Sequence, residues 1–587
     1  MLTPALRLSF APTPSDLHST PVSPWVITNC EYTQQTIDSD LDLSTLSAKK
    51  KVDALIGSRL TFVIAQLLDR DHGPGHRLYP TALMLLLLAV GRGMGSERDL
   101  LRRLAVNGGD DLYGHIRRRF EQVLGLRLPL RAPTREDLRR FRRWLTQPEV
   151  LSALEDAFLV ACVDLAMRLG AFAHHPRTDL ADMWVHNTVI GDGTITKRYS
   201  KLEEVRLPDG SIEICGSRAT DPSRQHYRLQ CRCTDNSEDG KADEHGINTT
   251  HVGGMTRYGY VVLAVGQVDG SEGAVALDLI DKVLQHLPST AVHAVVYDRA
   301  LTGWHPNYVL GTYGIPLIGK ASPSSLSRKN APAHVHNAWR TSKSARRRGK
   351  AAQAKARNTS VRKLGRTERD AAAEQALMDA FSGQNSLGQK VGLTIHRDSQ
   401  GVPQIVYSAY AELGTATHRT PTGPCVHRLV VDDNTLTVVD DQYRKVDHPM
   451  LLRSRADLRE AGFEVTATWQ IKCDHGDFEH TETWTPPNDR CPMPEHERKK
   501  STSRQKALGL LRLIPQTDPR WPTLAGLRNQ PESWHKTYKA SLPNKRATSP
   551  SGEEQLLQYV AIALLYNSER WYRYQADEEH HQDDSSD

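Results

Sequence analysis

The chain has 587 residues, 39% hydrophobic and 25% charged, the make-up of a soluble globular protein of about three or four domains, or of one large domain with insertions. Its formal net charge is +6, and the last twelve residues hold six acids and no Lys or Arg, so the rest is more basic still and favours a polyanionic partner, nucleic acid first. Eight cysteines are too sparse for a disulfide framework.

The opening "MLTPALRLSFAPTPSDLHST" shows neither a lysine-led apolar core nor a clear cleavage site, so a cytoplasmic protein is expected. Residues 1–76 read as an N-terminal extension with a helical pattern near "KKVDALIGSRLTFVIAQLLDR". Residues 77–180 read as a helical domain that can bind DNA through its arginine-rich faces; a solvated face explains those arginines equally well. Within it, "ALMLLLLAV" at 82–90 is far shorter than the ~20 residues that span a bilayer, and is expected to be a buried helix. Thr134, with Glu136 and Asp137 behind it, marks a helix start.

From 181 the period changes. "MWVHNTVIGDGT" and "RYGYVVLAVGQVDG" read as strands, "AVALDLIDKVLQHLP" as a helix, "AVHAVVYDRAL" as a strand, "GWHPNYVLGTYG" as a helix and "IPLIGKA" as a strand. This alternation over 181–330 predicts a sheet with helices packed on it. Residues 331–387 form a basic linker in which Arg346, Arg347 and Arg348 are candidate phosphate contacts. Residues 388–500 read as a β-rich unit, 501–575 as helical, and 576–587 as an acidic tail. The long helix "EEQLLQYVAIALLYNSERWYRY" should bury Leu556, Leu557, Val560, Ala561, Leu564 and Leu565.

Two acids stand at expected strand ends, Asp192 in Gly191-Asp192-Gly193 and Asp298 after "HAVVY". A strand end delivers a carboxylate to solvent or ligand without burying a charge mid-sheet. Either residue can instead form a turn. A third acid, Glu532, lies in "LRNQPESWHKTYK", where Arg528, Glu532 and Lys539 fit R-(3)-E-(6)-K. Pro531 suits a first helical turn, which places Lys536 and Lys539 near the face of Glu532. An acid among bases suits a cation plus a phosphate; a plain i,i+4 Glu532–Lys536 pair is the alternative.

With these residues the chain resembles the DDE transposases of bacterial insertion sequences, in the cut-and-paste class marked by Y-(2)-R-(3)-E-(6)-K. "YDRALTGWHPNYVLGTYGIPLIGK" and "LRNQPESW" resemble stretches of transposase-like proteins of actinobacterial type, and the likeness runs from about 183 to 570. The motif's Tyr position is Ala525 here. The resemblance implies an α/β protein with an RNase H-like mixed-sheet catalytic core. A β-rich insertion would lie between the second Asp and the Glu, and a helical domain would precede the core. It implies Asp192, Asp298 and Glu532 as catalytic and metal-binding residues for two Mg²⁺ or Mn²⁺ ions, with Arg528, Lys536, Lys539 and Trp534 on DNA. The partners it implies are double-stranded DNA, as terminal inverted repeats and target, and a second copy of the chain in a homodimeric synaptic complex; no membrane is involved. A transposase-derived protein that only binds DNA, and an RNase H-like nuclease without strand transfer, are the rival readings.

Cys473, His475, His480, Cys491 and His496 also cluster in sequence, but without the close Cys pair usual at zinc sites, and read as a polar loop. Trp534 reads as a core residue as readily as a base-stacking one.

Overall fold

In the computed structural model the described residues are 46–197, 245–319 and 403–584, less short gaps, with the strand residues 203–206, 212–215, 227–228 and 391–397 and a few isolated positions. The candidate phosphate contacts Arg346, Arg347 and Arg348, and Cys491 of the cysteine–histidine cluster, lie outside them. Among the described residues, no helix is long and apolar enough to cross a membrane.

Among the described residues, seven helices precede the first strand: α1 Ala48–Ser58, α2 Leu60–His72, α3 Thr81–Gly93, α4 Glu97–Ala105, α5 Leu112–Leu124, α6 Arg135–Leu145 and α7 Pro148–Arg168. The start of α6 is a capping box between Thr134 and Asp137, as the sequence signals. Helix α3 is apolar all round and is buried from Thr81 to Gly91, the state such a helix requires in water. Several arginines of these helices are tied down internally, Arg119 to Asp53 at 2.9 Å and Arg142 to Glu97 at 3.0 Å.

The central sheet is mixed. Strand β1 is Thr188–Lys197; β2 Glu203–Arg206 and β3 Ile212–Cys215 form a separate hairpin; β4 is Tyr227–Arg228, β5 His245–Thr256 and β6 Gly259–Gln267. Helix α8 Glu272–His286 leads to β7 Ala294–Tyr297, and α9 His305–Tyr313 leads to β8 Leu317–Gly319. β5 pairs antiparallel with β1 along one edge and with β6 and β4 along the other. β7 and β8 extend the sheet beyond β1, both parallel. The expected alternation of strand and helix therefore holds only from β6 onward; the first strands form an antiparallel meander. Hairpins join adjacent antiparallel strands, whereas each parallel step needs a helical crossover.

Strands β9 Val391–Arg397 and β10 Pro403–Ala409 pair as a hairpin. Strands β11 Ala411–Thr420, β12 Gly423–Asp432, β13 Thr435–Val439 and β14 Lys445–Asp447 make one sheet, and β15 Met450–Arg459, β16 Gly462–Ile471 and β17 Phe478–Trp484 another. A run of β-strands thus lies between β8 and the C-terminal helices. Asp179 holds it to the body, accepting from Ser454 Oγ at 2.8 Å.

The last helices are α10 Ser503–Leu510, α11 Trp521–Gly526, α12 Asn529–Ala540 and α13 Gly552–Asp584. Leu556, Leu557, Val560, Ala561, Leu564 and Leu565 of α13 are all buried. Asn567 closes the edge of β6: its Oδ1 accepts from Val262 N at 2.9 Å and its Nδ2 donates to Val262 O at 2.7 Å. An edge strand so covered offers no free ladder there. Helices α1 and α2 contribute buried residues to the core, and Ser58 Oγ lies 2.8 Å from Ser568 Oγ on α13. Helix α13 runs unbroken to Asp584.

Candidate active site

β1 does not end at Gly191-Asp192-Gly193; it continues to Lys197, with Asp192 opposite His251 of β5. The glycines serve close approach rather than a turn. A Cβ on Gly191 would lie 2.6 Å from the Tyr297 ring, and one on Gly193 would lie 2.4 Å from Glu272 Oε1. What does end here is the pairing of β1 with β7, whose last partners are Ile190 and Val296. Carried two residues further, the same register sets Asp192 beside Asp298. In parallel neighbours, residues in register point to one face of the sheet. The register thus directs Asp192 and Asp298 toward one face where two parallel strands part, near enough for the Asp298 charge to act on Asp192.

Their environments differ. Asp192 is 7% exposed. Burial, reinforced by the charge of Asp298, pushes its carboxyl up to about 7, against the opposing pull of Arg528 and a hydrogen bond from Gly193 N at 2.9 Å. Asp298 is half-buried and accepts from Ala300 N at 2.9 Å, so it holds the turn after β7 as well as facing Asp192.

Helix α12 covers this face. His535 Nδ1 lies 3.8 Å from Asp192 Oδ2. The two are not an ion pair, because burial, with the Lys539 charge, drives His535 down to about 3 and leaves it neutral. His535 Nε2 is 3.2 Å from Nδ1 of the fully buried His251, which is 3.1 Å from Tyr559 Oη. Trp534 Nε1 donates to the same Tyr559 oxygen at 2.7 Å. A rigid aromatic and imidazole platform thus seats α12 against β1 behind Asp192.

Glu532, one turn before His535, is half-exposed and ion-paired with Arg528 at 3.0 Å. Arg528 acts on Asp192 electrostatically and on Glu532 by contact. The structure therefore brings Asp192 and Asp298 together and sets the helix of Glu532 over them. The three carboxylates do not close to within 4.8 Å of one another; among the described residues, Cys425, His427 and Cys473 are the one such set of potential ligands.

Lys536 is exposed on α12 and Lys539 half-buried. Trp534 is corrected from a DNA contact to a core residue: it is 0% exposed and its indole N–H is used internally, so no base can stack on it. Trp534→Phe should lower stability by about 1–2 kcal/mol, from one lost buried hydrogen bond and a small cavity, measured by urea unfolding. An unchanged midpoint would show that the platform does not hold α12.

Glu272 is an acid that the sequence pattern missed. It lies in the first turn of α8 on the opposite face of β1, accepts from Asn248 Nδ2 at 2.8 Å and from Tyr297 Oη at 3.5 Å, and is raised by burial and by Asp298. An acid in the first turn of a helix is ordinary, and only the glycine at 193 hints at its approach. Comparison with family models, with curated proteins and with solved structures finds no match to this chain.

Proposed function

We propose that this protein is a DNA transposase that cuts the ends of a mobile element and joins them to target DNA by metal-dependent phosphoryl transfer. The observation that carries the reading is the juxtaposition of Asp192 and Asp298 at the parting of parallel strands β1 and β7, beneath the helix that bears R-(3)-E-(6)-K. A mixed sheet with two acids on neighbouring strands, a β-rich insertion and a third acid from a later helix supports an RNase H-like core.

The donor set fits Mg²⁺ or Mn²⁺. Hard divalent ions take carboxylate oxygens, and a buried carboxylate raised by the charge of a neighbouring one is relieved by a cation. Asp192, Asp298 and Glu532 would hold a pair of ions, which when bound would activate the attacking oxygen and stabilise the leaving one. Without them Asp192 is only about half ionised at neutral pH, so it carries less than its full charge. Glu532 would exchange its Arg528 partner for this role, which frees the Arg528 guanidinium for a DNA phosphate. Lys536 and Lys539, on the same helix, would extend that contact along the backbone. The neutral His535 holds α12 in place without adding a positive charge that would compete for Asp192. A second copy of the chain would be needed to bring two element ends together.

The test is incubation of the purified protein with Mg²⁺ or Mn²⁺ and DNA carrying the inverted repeats that flank its gene. Cleavage at the repeat ends followed by joining is expected. Cleavage without joining would reduce the protein to a nuclease, and binding without cleavage to a DNA-binding derivative.

A further inference from the structure

The β-rich unit contains a second constellation of ligand type, remote in sequence from the acids. Cys425 and His427 lie two apart on β12, with the exposed Val426 between them. Alternation along a strand therefore sends both side chains to one face. Cys473 and His475 repeat the Cys-x-His spacing in the loop that follows β16. Cys425 Sγ is 3.4 Å from His427 Nε2 and 3.7 Å from Cys473 Sγ, and neither cysteine is in a disulfide. Cys473 Sγ is 3.7 Å from His475 Nδ1.

We infer that Cys425, His427, Cys473 and His475 form a structural zinc site that ties β12 of one sheet to the loop after β16 of the other. Zinc bonds sulfur at about 2.3 Å and imidazole nitrogen at about 2.0–2.1 Å; a tetrahedron of those radii spaces S and S by about 3.8 Å and S and N by about 3.5 Å. The distances here match that figure. Cys425, His427 and Cys473 already lie within 4.8 Å of one another, and the exposed His475 completes the set by rotating in from a loop relaxed by Gly476 at φ +107°. The rings of His418 and His427 pack on Phe478 with centroids 4.7 and 5.2 Å away, which fixes the His427 imidazole from behind. In the sequence, Cys473 and His475 group with His480, Cys491 and His496. His480 is instead engaged with Glu482 at 2.9 Å, and the true partners come from 48 residues upstream, across two sheets. Two thiolates and two imidazoles with no open position describe a closed, structural site rather than a catalytic one.

The full-length protein, purified without chelator, should hold one zinc per chain by elemental analysis. Cys425→Ser and Cys473→Ser should each lose it, while Asp192→Asn should keep it. His475→Ala, at an exposed loop position, should fold normally and bind zinc more weakly by more than the about 10–100-fold typical of losing an outer-shell partner. Cobalt substitution of the wild-type protein gives a readout independent of the cysteine variants: intense four-coordinate d–d bands with a thiolate charge-transfer band. Zinc retained in Cys425→Ser, wild-type protein without zinc, or a cobalt spectrum without the thiolate band would each overturn the assignment.

Discussion

Asp298→Asn is expected to lower metal-dependent cleavage of element-end DNA by at least ~10³-fold, the equivalent of about 4 kcal/mol of transition-state stabilisation, with DNA affinity unchanged. The substitution is conservative where the fold needs it to be. The amide oxygen of Asn still accepts the Ala300 N–H that Asp298 holds at 2.9 Å, so the turn after β7 survives. What is lost is the anionic oxygen beside Asp192. The same loss removes one of the two chief influences that raise Asp192, whose carboxyl should ionise at lower pH in the variant. Cleavage products on a sequencing gel and a binding isotherm on the same DNA read the two properties separately. Cleavage at the wild-type rate would remove Asp298 from the chemistry, and parallel loss of cleavage and binding would make it a scaffold residue.

Much of the sheet and of the C-terminal helix was legible because their signals are local. "AVVY" is a short apolar run with a polar exit, and α13 repeats its apolar residues at helical spacing. Asp298 at a strand end and the helix bearing Glu532 were legible for the same reason. The position of Asp192 was not, because Gly-Asp-Gly has the same composition whether it forms a turn or admits neighbours; only the ring of Tyr297 and the carboxylate of Glu272 decide it. His251 and His535 were invisible as a pair, since the contact between them joins β5 to a helix 284 residues later in the chain. β5 itself, "HGINTTHVGGMT", carries too many glycines and polar residues to read as a strand, and it is held between two partners that supply its hydrogen bonds. The same distance effect hid the ligand set around Cys425.

The pH dependence of stability offers a test of Asp192 that requires no DNA. Its carboxyl has an ordinary value of 3.8 in the unfolded chain and is raised to about 7 in the fold. Between those values the folded state holds a proton that the unfolded state has released, so stability falls as pH rises through the window. The cost is absent below 3.8 and fully present above about 7; three units correspond to on the order of 4 kcal/mol. Asp192→Asn cannot ionise, yet it retains an oxygen for the Gly193 N–H. The variant should therefore match wild type near pH 4 and be more stable at pH 8 by up to that amount, measured by urea unfolding at both values. A divalent cation bound to the ionised carboxylate works against the same cost. Mg²⁺ or Mn²⁺ should therefore raise the wild-type melting temperature more at pH 8 than at pH 6, since proton and cation compete for the same oxygens, and should do little in Asp192→Asn. Identical pH slopes in the two proteins would mean that Asp192 is not held protonated. A metal-induced shift that survives in Asp192→Asn would place the cation elsewhere, and the juxtaposed acids of β1 and β7 would lose their assigned chemistry.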